Sequence, residues 1–166
     1  MDTALLVIDM QNGYFENPTL ESQREGLVAR CNDLVAIARR AGAPVYAVAT
    51  EHDRDGSTWT VTMRDDGQGY MFSDTDQVRF LPGLHTDGAH KVIKIRDSAF
   101  HGTELAQRLR IHGVSRLLLA GVSAQDCIAR TGADGFAHDF RVGYALQAIG
   151  STDAEQGEAA LQLLHE

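Results

Sequence analysis

Cysteine and basic residues are scarce in this chain, long apolar runs are absent, and each shortage excludes something. Only two cysteines occur among 166 residues, Cys31 and Cys127. Two thiols make no disulfide framework, so the fold rests on its own core, and in a reducing compartment both stay free. Lysine and arginine total 15 against 23 aspartates and glutamates, for a net charge of -8. Nucleic acid and membrane surfaces select basic proteins, so neither is expected as a partner. No apolar run approaches the ~20 residues of a membrane span, and Met1-Asp2-Thr3 has no basic signal region. The expected location is the cytoplasm. Internal repeats, linkers and Gly-rich phosphate loops are missing too.

What is there reads as one α/β domain over residues 1–166, with a hydrophobic fraction of 43%, large enough to bury roughly 70% of its unfolded surface. Ala4 to Ile8 is a continuous apolar run, the mark of a strand covered on both faces in a parallel sheet. Helical spacing of Leu27, Val28, Leu34, Val35 and Ile37 predicts a helix from about Leu20 to Ala41, closed by Gly42. Cys31 lies on that stripe and reads as core. Pro44 to Thr50 is a second strand, completing a βαβ unit. Further along come strands at Lys91 to Ile95, Val114 to Ala120 and Arg141 to Leu146. They alternate with helices at Thr103 to His112, Asp126 to His138 and Thr152 to Leu164, the last with Thr152 as N-cap. The fold class is therefore a three-layer α/β/α domain with a mainly parallel sheet.

Between Glu51 and His90 neither period persists. A stretch of about forty residues is too long for a plain connection, and it is expected to cover an active site. It carries Trp59, Tyr70, Phe72 and Phe80, rings able to wall a small-molecule pocket.

Three positions carry chemistry. Asp9 follows five apolar residues, Lys94 interrupts Val92-Ile93 and Ile95, and Cys127 follows the strand and turn Leu117 to Gly121. A thiol in the first turn of a helix is expected to favour its thiolate through the macrodipole. Carboxylate, cation and thiol, all deliverable to one edge of one sheet, are the inventory of a nucleophilic site.

These residues also carry a resemblance. Asp9-Met10-Gln11-Asn12-Gly13-Tyr14-Phe15, then Lys94-Ile95-Arg96-Asp97-Ser98-Ala99-Phe100 with Gly102-Thr103-Glu104-Leu105, and Gly121-Val122-Ser123 with Cys127 and Thr131 resemble, in order, the three motifs of the isochorismatase-like cysteine hydrolases. The resemblance implies a five- or six-stranded sheet in the order 3-2-1-4-5 and a homo-oligomer. It implies that Cys127 attacks a carbonyl, Asp9 carries the proton and Lys94 stabilises charge. It also implies a cis peptide before Ser123, with the N–H groups of Ser123 and Cys127 as oxyanion hole. Phe15, Trp59 and Phe100 are expected to bind the substrate. Departures are visible: Ala124 and Ala133 replace residues common in relatives. The Asp-x-His pair of metal-dependent nicotinamidases is absent from Thr50-Glu51-His52-Asp53-Arg54. His52, Asp53, His85 and His90 show no paired ligand spacing, so no metal and no cofactor is expected. The cysteine favours cleavage of a C–N bond in a small amide, lactam or carbamoyl compound. The alternatives are vinyl ether hydrolysis of the isochorismatase type and a catalytically silent binding protein on the same fold.

Overall fold

The segments expected as strands become five strands, β1 (Thr3–Ile8), β2 (Val45–Thr50), β3 (His90–Lys94), β4 (Arg116–Gly121) and β5 (Arg141–Ile149). In the computed structural model, which describes residues 2–164, all pair in parallel in the order β3-β2-β1-β4-β5. The middle position of β1 explains its unbroken hydrophobicity. Ala4, Leu6 and Ile8 enter one core and Leu5 and Val7 the other, so neither face can be polar.

Helices fill both sides. On one, α2 (Arg24–Arg40) buries Leu27, Cys31, Val35 and Ala38 against Leu5 and Val7. On the other, α4 (Leu105–Ile111) and the turn entering α5 (Ala129–Ala137) bury Leu105, Leu109 and Ile128 with Leu6 and Ile8. The shorter α1 (Pro18–Glu21), α3 (Val61–Asp66) and the terminal α6 (Ala154–Leu163) complete the set. Among the described residues no helix is long and apolar enough to cross a membrane.

Several boundaries depart from expectation, for local reasons. The helix expected from Leu20 is two. Asn17 caps α1 by accepting from the Thr19 and Leu20 N–H groups, while Gln23 turns back to donate to Thr19 O and Ser151 O, breaking the run before Arg24. The cap of α6 is Asp153, whose carboxylate accepts from the Gln156 N–H at 2.9 Å, not Thr152, which instead receives the Gln125 amide at 2.7 Å. Strand β5 does not stop at Leu146; after a register shift it pairs again at Ile149, opposite Gly121.

Gly121 is where the sheet and the site meet. Its φ is 116, and a Cβ there would lie 2.0 Å from Ile8 O. Both the left-handed backbone and the contact exclude any side chain. Gly121→Ala is expected to cost about 3 to 5 kcal/mol, read as a large drop in thermal midpoint. An unchanged midpoint would show that β1 and β4 can part there freely.

Candidate active site

The carboxyl ends of β1, β2 and β3 and the turn after β4 converge. Asp9 follows β1 directly and takes φ 54, a left-handed conformation that Asp tolerates better than most residues. Its N–H stays bonded to Val48 O at 2.9 Å. Thr50 and Lys94 are the last residues of β2 and β3 and sit in register. After Gly121 the Val122–Ser123 peptide is cis. The chain then makes one π turn, Ala124–Ile128, which holds Cys127 and runs into α5. The regular helix expected from Asp126 is therefore wider at its start, a local form common at functional sites.

Asp9 is 0%, Lys94 1% and Cys127 5% exposed, and burial on that scale demands partners. The Lys94 ammonium donates to Thr50 Oγ1 at 2.8 Å, Arg96 O at 3.0 Å and Cys127 Sγ at 3.4 Å. It also stands 2.9 Å from Asp9 Oδ2. Thr50 Oγ1 donates to Asp9 Oδ1 at 3.0 Å. Asp9 Oδ2 has no hydrogen-bond partner beyond that ion pair among the described residues, and the Cys127 thiol stands beside the same carboxylate.

Burial pulls the Lys94 ammonium down, but the Asp9 carboxylate and the Cys127 sulfur more than offset it, leaving the pKa above that of an ordinary lysine. Cys127 contradicts the expectation drawn from its place at a helix start. Burial first, then the negative charge of Asp9, hold its thiol well above the usual value, and Lys94 only partly opposes them. The resting group is a thiol, so nucleophilic attack requires a base. Cys31 is pushed up to about 12 by burial alone and has no charged neighbour of this kind.

Above Lys94 and Thr50 opens a cavity of about 240 Å³, walled by Tyr14, His52, Thr60, Thr62, Met63, Tyr70, Ile95, Arg96 and Asp97. Much of that wall comes from the unpatterned stretch between Glu51 and His90, as expected. The aromatic assignment needs correction. Phe15 is packed in the core beneath α2 with Leu20 and Leu27. Phe100 is in the opposite core, stacked on Phe140 at 5.9 Å. Trp59 lies against Gly69 and Phe72, and its Nε1 donates to Asp53 O. None of the three rings faces the cavity; Tyr14 and Tyr70 do, edge to face at 6.1 Å. Ser123 is buried, and its N–H makes no hydrogen bond among the described residues.

The residues weighed as metal ligands are dispersed. His90 opens β3 and packs on Tyr46 and His112 at 5.0 and 4.7 Å. The His85 N–H is bonded to Asn32, Asp53 is exposed, and His52 alone borders the cavity. Among the described residues no three of His, Cys, Asp or Glu gather as a metal ion needs, so the residues present do not fit one.

Comparison with known proteins places nearly the whole chain in one family. Residues 3–166 match the isochorismatase domain. The chain belongs to the isochorismatase family. A relative from Arabidopsis thaliana named a probable inactive nicotinamidase is 34% identical over 84% of this chain and 75% of its own. The maleamate amidohydrolase of Pseudomonas putida is 30% identical over 95% of this chain and 76% of its own. The crystal structure of an isochorismatase family protein from Desulfovibrio vulgaris superposes with a TM-score of 0.87 at 32% identity, covering 99% of this chain and 90% of that one.

Within that isochorismatase frame, two side chains that hold the candidate site together escaped sequence reasoning. Thr50 joins Asp9 to Lys94, and strand order was the signal that would have found it, since β2 lies between β1 and β3. Gln11 is wholly buried. Its amide donates to Thr50 O and Val78 O at 2.9 and 2.8 Å and accepts from the Thr50 N–H at 2.8 Å, pinning the loop to the sheet edge.

Proposed function

We propose that this chain is a cysteine amidohydrolase that cleaves the C–N bond of a small amide, lactam or carbamoyl compound through a thioester. The observation that carries this reading is the convergence of a buried carboxylate, ammonium and thiol at one sheet edge, within 2.9 and 3.4 Å of the ammonium, under a cavity of small-molecule size. The family's named amide hydrolases support it.

Cys127 Sγ adds to the carbonyl carbon as its proton passes to Asp9. The N–H groups of Ser123 and Cys127 receive the oxygen that gains charge, and Lys94 stabilises the sulfur. Collapse breaks the C–N bond, and Asp9 returns the proton to the leaving amine. Asp9 then takes a proton from water, which attacks the thioester; the C–S bond breaks, the acid leaves, and Asp9 returns the proton to Cys127 Sγ.

Mass spectrometry of enzyme quenched during turnover is the test. An acyl adduct is expected on the peptide holding Cys127 and not on that holding Cys31. Steady turnover of an amide with no adduct in any quench, together with an active Cys127→Ser, would sink the covalent route.

A further inference from the structure

His52 is an anomaly on the cavity wall. It is 4% exposed, it borders the cavity, and half of its hydrogen-bonding capacity is unused. Nδ1 lies 3.0 Å from Thr58 O and 3.3 Å from Thr58 Oγ1. That carbonyl also receives Arg96 Nη1 at 2.7 Å. A carbonyl oxygen only accepts, so Nδ1 must carry the hydrogen, and in the neutral ring Nε2 is then a bare lone pair. Nε2 has no hydrogen-bond partner among the described residues.

The surroundings keep the ring in that form. Burial lowers the His52 pKa first, the nearby Arg96 and Lys94 charges lower it further, and the bond to Thr58 and the Asp53 carboxylate oppose them. Nε2 is not one of the fully buried polar atoms left without a partner, so on the cavity wall it is open to a donor that a bound molecule supplies. Among the described residues no metal ligand set forms around it, so a donor hydrogen rather than a cation suits this lone pair. Along an extended chain His52 stands roughly 7 Å beyond Thr50, away from the thiol.

We propose that His52 determines specificity: its Nε2 accepts a hydrogen bond from a second donor on the amide substrate, such as a ureido N–H or a hydroxyl, and disfavours a substrate that presents a lone pair there. This rests on the amidohydrolase reading for the word substrate only; selection of the bound molecule stands without it. Arg96 and Lys94 contribute positive charge to the same wall; three Arg96 hydrogen bonds go to carbonyls, and the Lys94 ammonium serves Arg96 O, Thr50 and the sulfur. The lone pair of His52 adds to these donors an acceptor that a donor on the bound molecule can match.

Three probes of one shape give the test: 3-hydroxybenzamide carries a donor, nicotinamide an acceptor, and benzamide neither. Binding is read as protection of Cys127 from iodoacetamide, and hydrolysis as ammonia release. Wild type is expected to bind 3-hydroxybenzamide at least about tenfold more tightly than nicotinamide, one hydrogen bond gained against one lone pair opposed. His52→Asn places an amide nitrogen near Nδ1, keeping the Thr58 bond while deleting the Nε2 acceptor, and should bring the ratio within about threefold. His52→Gln restores a group near Nε2 that donates as well as accepts, and should regain affinity for nicotinamide. Equal protection by the first two probes in wild type, no protection by 3-hydroxybenzamide, or a wild-type ratio in His52→Asn each overturns the proposal. So does a preference that disappears on chelation and returns with zinc. A ratio that follows His52 while no amide is hydrolysed would leave this inference standing and remove the catalytic reading instead.

Discussion

Asp9→Asn and Cys127→Ser are each expected to reduce kcat by about 10⁴-fold or more, and the double variant to lose little beyond either single one. Groups that act as a unit show this non-additivity, because once the nucleophile cannot form the base has nothing left to do. The environment of Cys127 makes the dependence severe. With its thiol held up by burial and by Asp9, attack in the wild type depends on a neighbour that takes the proton and later returns it to the leaving amine, and Asp9→Asn removes that neighbour. Cys127→Ser is worse placed still, since a hydroxyl is far less acidic than a thiol. The check is a double-variant cycle on kcat with the fold verified by circular dichroism. If the double variant instead shows the product of the two losses, carboxylate and thiol serve separate steps.

Lys94→Met is expected to damage both rate and stability. Methionine keeps most of the buried stem and removes the ammonium, so Asp9 becomes an uncompensated charge at 0% exposure. Breaking a buried pair in this way costs about 3 to 5 kcal/mol. The rate should fall by a few hundredfold, the order associated with losing one preorganised electrostatic partner. Adding Asp9→Asn to Lys94→Met separates the two effects. It should recover much of the lost thermal midpoint, because the stranded charge is gone, while activity falls further, to the level of Asp9→Asn. A Lys94→Met protein with normal kcat and midpoint would make Lys94 an ordinary strand residue.

The fold was legible because β1, β2 and β4 are apolar runs whose length speaks for itself, and the sheet order followed from the resemblance of three motifs. Ends were less legible where tertiary bonds decide them. Gln23 breaks the helix around Ser22 by reaching Ser151 O, a partner 128 residues away. Asp9, Lys94 and Cys127 could be read because an ionisable group interrupting or ending an apolar run is conspicuous. Phe15 and Phe100 could not be placed, since a ring in a loop looks the same whether it turns to the core or to a cavity. Thr50 was missed for the opposite reason: a threonine at a strand end is unremarkable until its neighbours are known. The state of the Cys127 thiol was misread because the helix start is local, whereas the burial and the Asp9 charge that outweigh it come from the assembled sheet.

One ammonium serves both partners of the proton transfer. Lys94 Nζ lies 2.9 Å from Asp9 Oδ2 and 3.4 Å from Cys127 Sγ, and it also reaches Thr50 Oγ1 and Arg96 O. The Cys127 thiol stands beside the same carboxylate. In the proposed first step the thiol proton can therefore cross directly to Asp9, and the sulfur that loses it keeps its contact with the ammonium. Negative charge moves from oxygen to sulfur around a cation that stays still, so the step needs neither a side-chain rotation nor an entering water molecule to carry the proton.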